Sequence, residues 1–147
     1  MWASPKSKKE LKATNGYWTD GEILFEQKEN GIIDLIFPKN LNEVDEKAKK
    51  FYEGRADDYE RYLHLTFQTY GEDESHIRSY MIDKLGLTPE SKVLEIACGT
   101  GRDSVIIAKR LGKDAIGYFV DIAEDMLETA IKKLAPYDFE KNFALAN

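Results

Sequence analysis

Apolar positions change their spacing twice along the chain, near residue 40 and again near residue 88. Before residue 40 they form short β-leaning runs in NGYW, EILFEQ and GIIDLIF, separated by TDG and KENG, the glycine-containing punctuation of hairpins. A small β meander is predicted. From Leu41 to about Leu87 the spacing is helical. Asn42 or Asp45 can cap a segment with apolar positions at Ala48, Phe51 and Tyr52, continuing at Tyr59, Tyr62, Leu63, Leu65 and Phe67. A second helix is expected from about Asp73 to Leu85, with Ile77, Tyr80, Met81 and Leu85 on its apolar stripe.

Beyond residue 88 strands and helices alternate. Lys92 to Ala97 reads as a strand apolar on both faces, as in a buried parallel sheet. Asp103 to Gly112 reads as a helix with basic residues in its last turn and a glycine past its end. Ala115 to Val120 is a strand ending at Asp121, Glu124 to Leu134 a helix stopped near Pro136, and Phe143-Ala144-Leu145 the start of a third strand. Right-handed crossovers set these strands side by side in the order 3-2-1, which makes the class α/β. Three regions result: a β leader over 1–40, a helical cap over 41–87 and a sheet unit over 88–147.

Size and composition narrow the picture. A chain of 147 residues has room for one ordinary core. No apolar run approaches the roughly 20 residues of a membrane span, and MWASPKSKKELK has no apolar stretch after its basic residues, so a cytoplasmic location and no membrane partner are expected. The single cysteine, Cys98, fits a reducing compartment. The net charge is −6, with Lys and Arg dispersed among acids, which argues against nucleic acid as the main partner. Ser4-Pro5-Lys6-Ser7 has the spacing of a C-P-x-C zinc knuckle with serine in both cysteine positions. Zinc needs thiolate or imidazole ligands, so no metal is predicted. His64 and His76 lie in no triad or metal pattern.

The chemistry concentrates between Val93 and Ser104. Gly99 and Gly101 permit a sharp turn after the strand and a close approach of ligand to backbone. Asp121 lies 20 residues beyond Gly101, where a carboxylate can accept hydrogen bonds from both ribose hydroxyls of an adenosine. Gly-x-Gly with a later acid is shared by dinucleotide-binding and other nucleoside-binding sheets. A pyrophosphate binder wants a third small residue where Ser104 stands, and no anion at the strand end where Glu95 stands. A carboxylate at Glu95 suits a ligand that carries an amino group and a sulfonium charge.

Val93 to Gly101 resembles the first motif of the class I S-adenosylmethionine-dependent methyltransferases, acid-x-Gly-x-Gly-x-Gly, with Ala97 in place of the first glycine. That departure is mild if the φ of Ala97 is negative. Asp121-Ile122-Ala123-Glu124-Asp125-Met126-Leu127 resembles the second motif, an acid followed five residues later by Met-Leu. The resemblance implies S-adenosylmethionine as cofactor and the N-terminal portion of a Rossmann-like methyltransferase sheet. Asp121 would hold the ribose hydroxyls, and Ile122 and Met126 would flank the adenine. Ala97, Cys98, Gly99, Thr100 and Gly101 would face the methionine part, and Glu95 would orient its amino group. Phe119 stands where the family often has glycine, Tyr52 and Tyr59 are candidates to cover the cofactor, and the β leader resembles the degenerate zinc-ribbon-like leader of some methyltransferases.

The family's sheet has seven strands, so a truncated first half is expected, with Val93 to Ala97 as an exposed edge. Such an edge should self-associate or pair with a C-terminal half. The methyl acceptor is unassigned and no catalytic residue is named, because an activated sulfonium needs little beyond positioning. Two other readings use the same turn: a non-catalytic nucleoside-binding or assembly protein and, disfavoured by Glu95, an NAD-dependent oxidoreductase.

Overall fold

The computed structural model describes residues 1–147. Its leader is an antiparallel meander of β1 (Lys12–Thr14), β2 (Tyr17–Thr19) and β3 (Leu24–Glu26), in which Trp18 stands between Ala13 and Phe25. The main sheet contains β4 (Ile33–Asp34), β5 (Lys92–Ile96), β6 (Ile116–Asp121) and β7 (Glu140–Leu145), all parallel, in the order β4-β7-β6-β5. The 3-2-1 order expected from the crossovers is therefore present as β7-β6-β5. Helices α1 (Glu43–Tyr52), α2 (Ala56–Thr69) and α3 (Glu74–Asp83) precede β5, and α4 (Arg102–Ala108) and α5 (Glu124–Leu134) make the crossovers.

Three readings of the sequence are corrected. GIIDLIF does not close the meander: Ile33 pairs with Ala144 and Asp34 with Leu145, on the far side of β7. Ile32, Ile33, Leu35 and Ile36 are all buried, so the run, although an edge strand, is apolar on both faces as buried parallel strands are. In its place the meander uses Lys12–Thr14, which is exposed throughout and carries no apolar signal. The first predicted helix is two helices, because Gly54 takes a left-handed φ of 75° just after α1; of the two proposed caps, Asn42 accepts the amides of Val44 and Asp45. The proposed stripe of the next helix is also displaced. Tyr80, Met81 and Leu85 are more than half exposed, while Ile82 packs with Val93 and Ile107. The polar residues Glu74 and Arg78 lie toward α4, where they form ion pairs, so apolarity alone misplaces the buried face.

The sheet separates two cores. Under α4 and α5, Phe119 is fully buried among Ala108, Leu127, Leu134 and Phe139, with its ring stacked on Phe143 at 5.3 Å between centroids. On the other face the leader packs Trp2, Leu11 and Phe25 against Val120 and Ala144. The leader does not reach β5, where Leu94 is 58% and Ile96 76% exposed. The Ser4 to Ser7 turn is held by polar contacts: Ser7 donates to Asp20 at 2.6 Å, and hydrogen bonds from Ser7 and Ser4 hold the Asp20 carboxyl well below the usual range.

Phe119 does not line the cofactor-side cavity described below; its room comes from the neighbouring Gly117. A Cβ on Gly117 would lie 2.6 Å from the Phe119 ring and 2.9 Å from that of Phe139. Gly117→Ala is therefore expected to destabilise the fold by about 1–3 kcal/mol, the range for overpacking a tight core, as read by urea unfolding.

Candidate cofactor site

β5 ends at Ile96, and the next residues must reverse the chain before α4 starts. They do so through three left-handed positions, Ala97 at φ 55°, Gly99 at 54° and Gly101 at 76°. This overturns the premise that Ala97 has a negative φ: its Cβ is held in a conformation that costs an L-residue roughly 1–2 kcal/mol. The two glycines serve different needs. A Cβ on Gly101 would lie 3.0 Å from that of Ala130, so this glycine lets α5 approach the turn. A Cβ on Gly99 would meet nothing within 4 Å, so there the backbone faces open space.

Asp121, at the end of β6 and 9% exposed, fixes the turn from below. Its Oδ2 accepts the Gly99 amide at 2.7 Å and its Oδ1 accepts the Ala123 amide at 3.0 Å. Each carboxylate oxygen keeps a further acceptor site.

Ala97, Gly99, Asp121, Ile122 and Met126 come together on one cavity of 740 Å³, a size typical of small-molecule clefts at about 300–1,000 Å³. Tyr52 and Tyr59 line it too, edge to face with centroids 6.4 Å apart. The remaining proposed residues lie outside its lining. Cys98 is 6% exposed and points into the core, where burial pushes its thiol far above the usual value and leaves it inert as a nucleophile. Thr100 is 1% exposed and donates its hydroxyl to Glu60, and Gly101 sits against Ala130. Glu95 alternates to the helix-covered side of the strand and accepts from Ser104 Oγ at 2.7 Å. Burial first, then the negative charges of Asp103 and Asp121, push its carboxyl up to about 7 against the opposing hydrogen bond.

Several residues that shape the site have no sequence signature. Trp2, Leu35 and Phe37 of the leader region line the cavity, brought there by the pairing of β4 with β7. Asp125, inside the second motif, accepts the Ala56 amide at 3.1 Å and so anchors the start of α2, which lays Ala56 and Tyr59 on Ala123 and Met126. Ser104, noted in the sequence only as standing where a pyrophosphate binder has its third small residue, is the partner of Glu95. No group of three or more His, Cys, Asp or Glu residues is placed to hold a metal ion.

Two outcomes follow from this geometry. Ala97→Gly should raise stability by about 1 kcal/mol in urea unfolding, because it relieves the left-handed alanine at some cost in unfolded-state entropy. Glu95 binds its proton more tightly when folded than at its ordinary value of 4.5, so its stabilising contribution is complete below about 4.5 and is lost as pH rises through about 7. Glu95→Gln removes that loss. It should stabilise the protein by up to about 3 kcal/mol near pH 8 and by much less near pH 5, as read by thermal melts at the two pH values.

Residues 93–147 match the family described as "Methyltransferase domain". A probable cobalt-precorrin-6B C(15)-methyltransferase (decarboxylating) of Methanococcus maripaludis is 39% identical over 67 residues, covering 46% of this chain and 35% of the relative. Its counterpart in Methanococcus vannielii is 32% identical over 65 residues, covering 44% and 34%. The matched segment thus spans about a third of the length of these curated relatives. Among solved structures, a TehB-like SAM-dependent methyltransferase from Corynebacterium glutamicum aligns with a TM-score of 0.44 and 15% identity over 63% of this chain and 45% of that one. A protein-L-isoaspartate O-methyltransferase aligns with a TM-score of 0.41 and 17% identity over 50% and 24%. Through residues 93–147 this chain is thus similar to methyltransferase domains, and the left-handed turn and the Asp121 clamp both lie within that matched segment.

Proposed function

We propose that this chain supplies the cofactor-binding part of S-adenosylmethionine-dependent methyl transfer to an acceptor whose chemistry the cavity leaves open. The observation that carries the reading is the Asp121 carboxylate, held under the turn by the Gly99 and Ala123 amides with acceptor capacity to spare. The residues fit the cofactor. Open space lies over Gly99, apolar side chains at Ile122 and Met126 offer a flat flank, and an acid stands at Glu95.

In this reading Asp121 accepts the ribose hydroxyls, Ile122 and Met126 enclose the adenine, and the backbone of Ala97 to Gly101 faces the methionine part. S-adenosylmethionine, when bound, supplies a methyl group already activated on a positively charged sulfur. The protein's part is then to hold the donor in one orientation and keep water from it, which Tyr52 and Tyr59 on the cap do by covering the cavity. Above about pH 7, where its buried carboxyl ionises, Glu95 adds a negative potential beneath the turn. Along β5, the exposed Leu94 and Ile96 flank an unpaired strand edge, our proposed surface for association with a second copy or a C-terminal half.

Asp121→Ala is expected to weaken S-adenosylhomocysteine binding by about 1.5–3 kcal/mol in isothermal titration, the size of hydrogen bonds to a charged group. Asp121→Asn, which keeps one carbonyl acceptor, should lose less. Unchanged affinity in the alanine variant would remove the ribose assignment.

A further inference from the structure

We propose that Glu60 is a positioning residue for the cofactor turn: a carboxylate carried by the cap helix α2 fixes Thr100 and, through it, the backbone that faces the ligand. The proposal rests on the reading of that turn given above. Thr100 sits between two left-handed glycines, in a stretch with no regular ladder of its own to hold it. Its hydroxyl is buried, so without an acceptor it would carry the full desolvation penalty of an unpaired donor.

Glu60 supplies that acceptor and ties it to the surrounding helices. Its Oε1 accepts from Thr100 Oγ1 and also from Arg102 Nε at 3.1 Å. Its Oε2 lies 2.6 Å from Lys133 Nζ on α5. Arg102 donates further to the Glu60 carbonyl and, at 2.7 Å, to Glu74 on α3. One carboxylate thus joins α2, the turn, α4 and α5, and Arg102 adds α3. Burial pushes the Glu60 carboxyl up, but the hydrogen bonds from Lys133 and Thr100 and the charges of Lys133 and Arg102 outweigh it and hold it below the usual value.

The placement matters because the preceding residue, Tyr59, lines the cavity. The element that covers the cavity is therefore the same one that sets the turn. Glu60 differs in this from the Arg110–Asp83 pair, which joins the segment just after α4 to the end of α3 with Asp83 61% exposed and touches no turn residue.

The test compares Thr100→Val, Thr100→Ser and Glu60→Gln with an Asp83→Asn control in the full chain. Backbone hydrogen exchange of residues 98–103 is measured without ligand, and S-adenosylhomocysteine affinity is measured alongside. Thr100→Val should speed exchange in the turn by about tenfold, the worth of one such hydrogen bond, with β6 and β7 unchanged. Thr100→Ser should restore the wild-type rate, Glu60→Gln should fall between, and Asp83→Asn should change nothing in the turn. Affinity should fall about three- to tenfold in Thr100→Val and in Glu60→Gln, and the double variant should lose no more than the worse single one, as expected for residues acting through one contact. Unchanged turn exchange, equal acceleration in β6 and β7, or fully additive losses of affinity would overturn the proposal. If the wild-type chain itself does not bind S-adenosylhomocysteine, the cofactor reading fails instead, and the exchange data still decide whether Glu60 holds the turn.

Discussion

The hydrogen bond from the Gly99 amide to the Asp121 carboxylate joins the end of one parallel strand to the turn after its neighbour. It binds two crossovers into one site. Past the Cys98 amide, which continues the ladder to the Val120 carbonyl at 3.0 Å, the turn leaves the sheet, and with three left-handed residues it needs an external group to choose its conformation. A nearly buried carboxylate, itself needing donors, provides one. The need is mutual: the acid satisfies the turn amide and the turn amide satisfies the acid.

Around this bond the cap repeats the same device. Asp125 accepts the amide that starts α2, and Glu60 on α2 accepts the hydroxyl of Thr100. Carboxylates therefore fix the turn from the sheet side and from the helix side, while the apolar contacts of Ala56 and Tyr59 with Met126 fill the space between them. Half-buried ion pairs such as Glu60 with Lys133 and Arg78 with Asp103 add modest stability against their desolvation. Their stronger effect is on geometry, because each charged group has few ways to satisfy its partners.

The sequence made the β5-turn-α4-β6-α5-β7 unit readable because its signals are local: continuous apolar strands, paired glycines, and acids at strand ends. The candidate site was legible for the same reason at Gly99, Asp121, Ile122 and Met126. What escaped depends on contacts between distant segments. β4 was read as a hairpin strand because its run, isolated in sequence, says nothing of Ala144 and Leu145 beside it. The buried face of α3 was missed because the ion-paired Glu74 and Arg78 share it with Ile82, so apolar residues alone do not mark it. Glu95 was expected to act on a ligand as a plain anion, yet its side of the strand lies under Ser104, and burial brings its titration near neutrality. Ala97 was taken to be an easy replacement for glycine, but the turn demands a φ that spacing cannot disclose.

The central proposal is that this turn takes a cationic nucleoside over a pyrophosphate, the Glu95 carboxylate behind the strand acting on the ligand through its charge and not by contact. A cationic ligand favours the ionised carboxylate, so its affinity rises as pH climbs through about 7; a pyrophosphate favours the protonated form, so its affinity falls. The direct measurement is an NMR titration of the chain with S-adenosylmethionine and, separately, NAD, following the Gly99, Gly101 and Asp121 amides at about pH 6 and about pH 7.5. The account predicts shifts at these amides with S-adenosylmethionine, tighter at the higher pH, and weaker NAD binding with the opposite trend. NAD binding more tightly than S-adenosylmethionine, or an S-adenosylmethionine affinity that falls as pH rises, would contradict it.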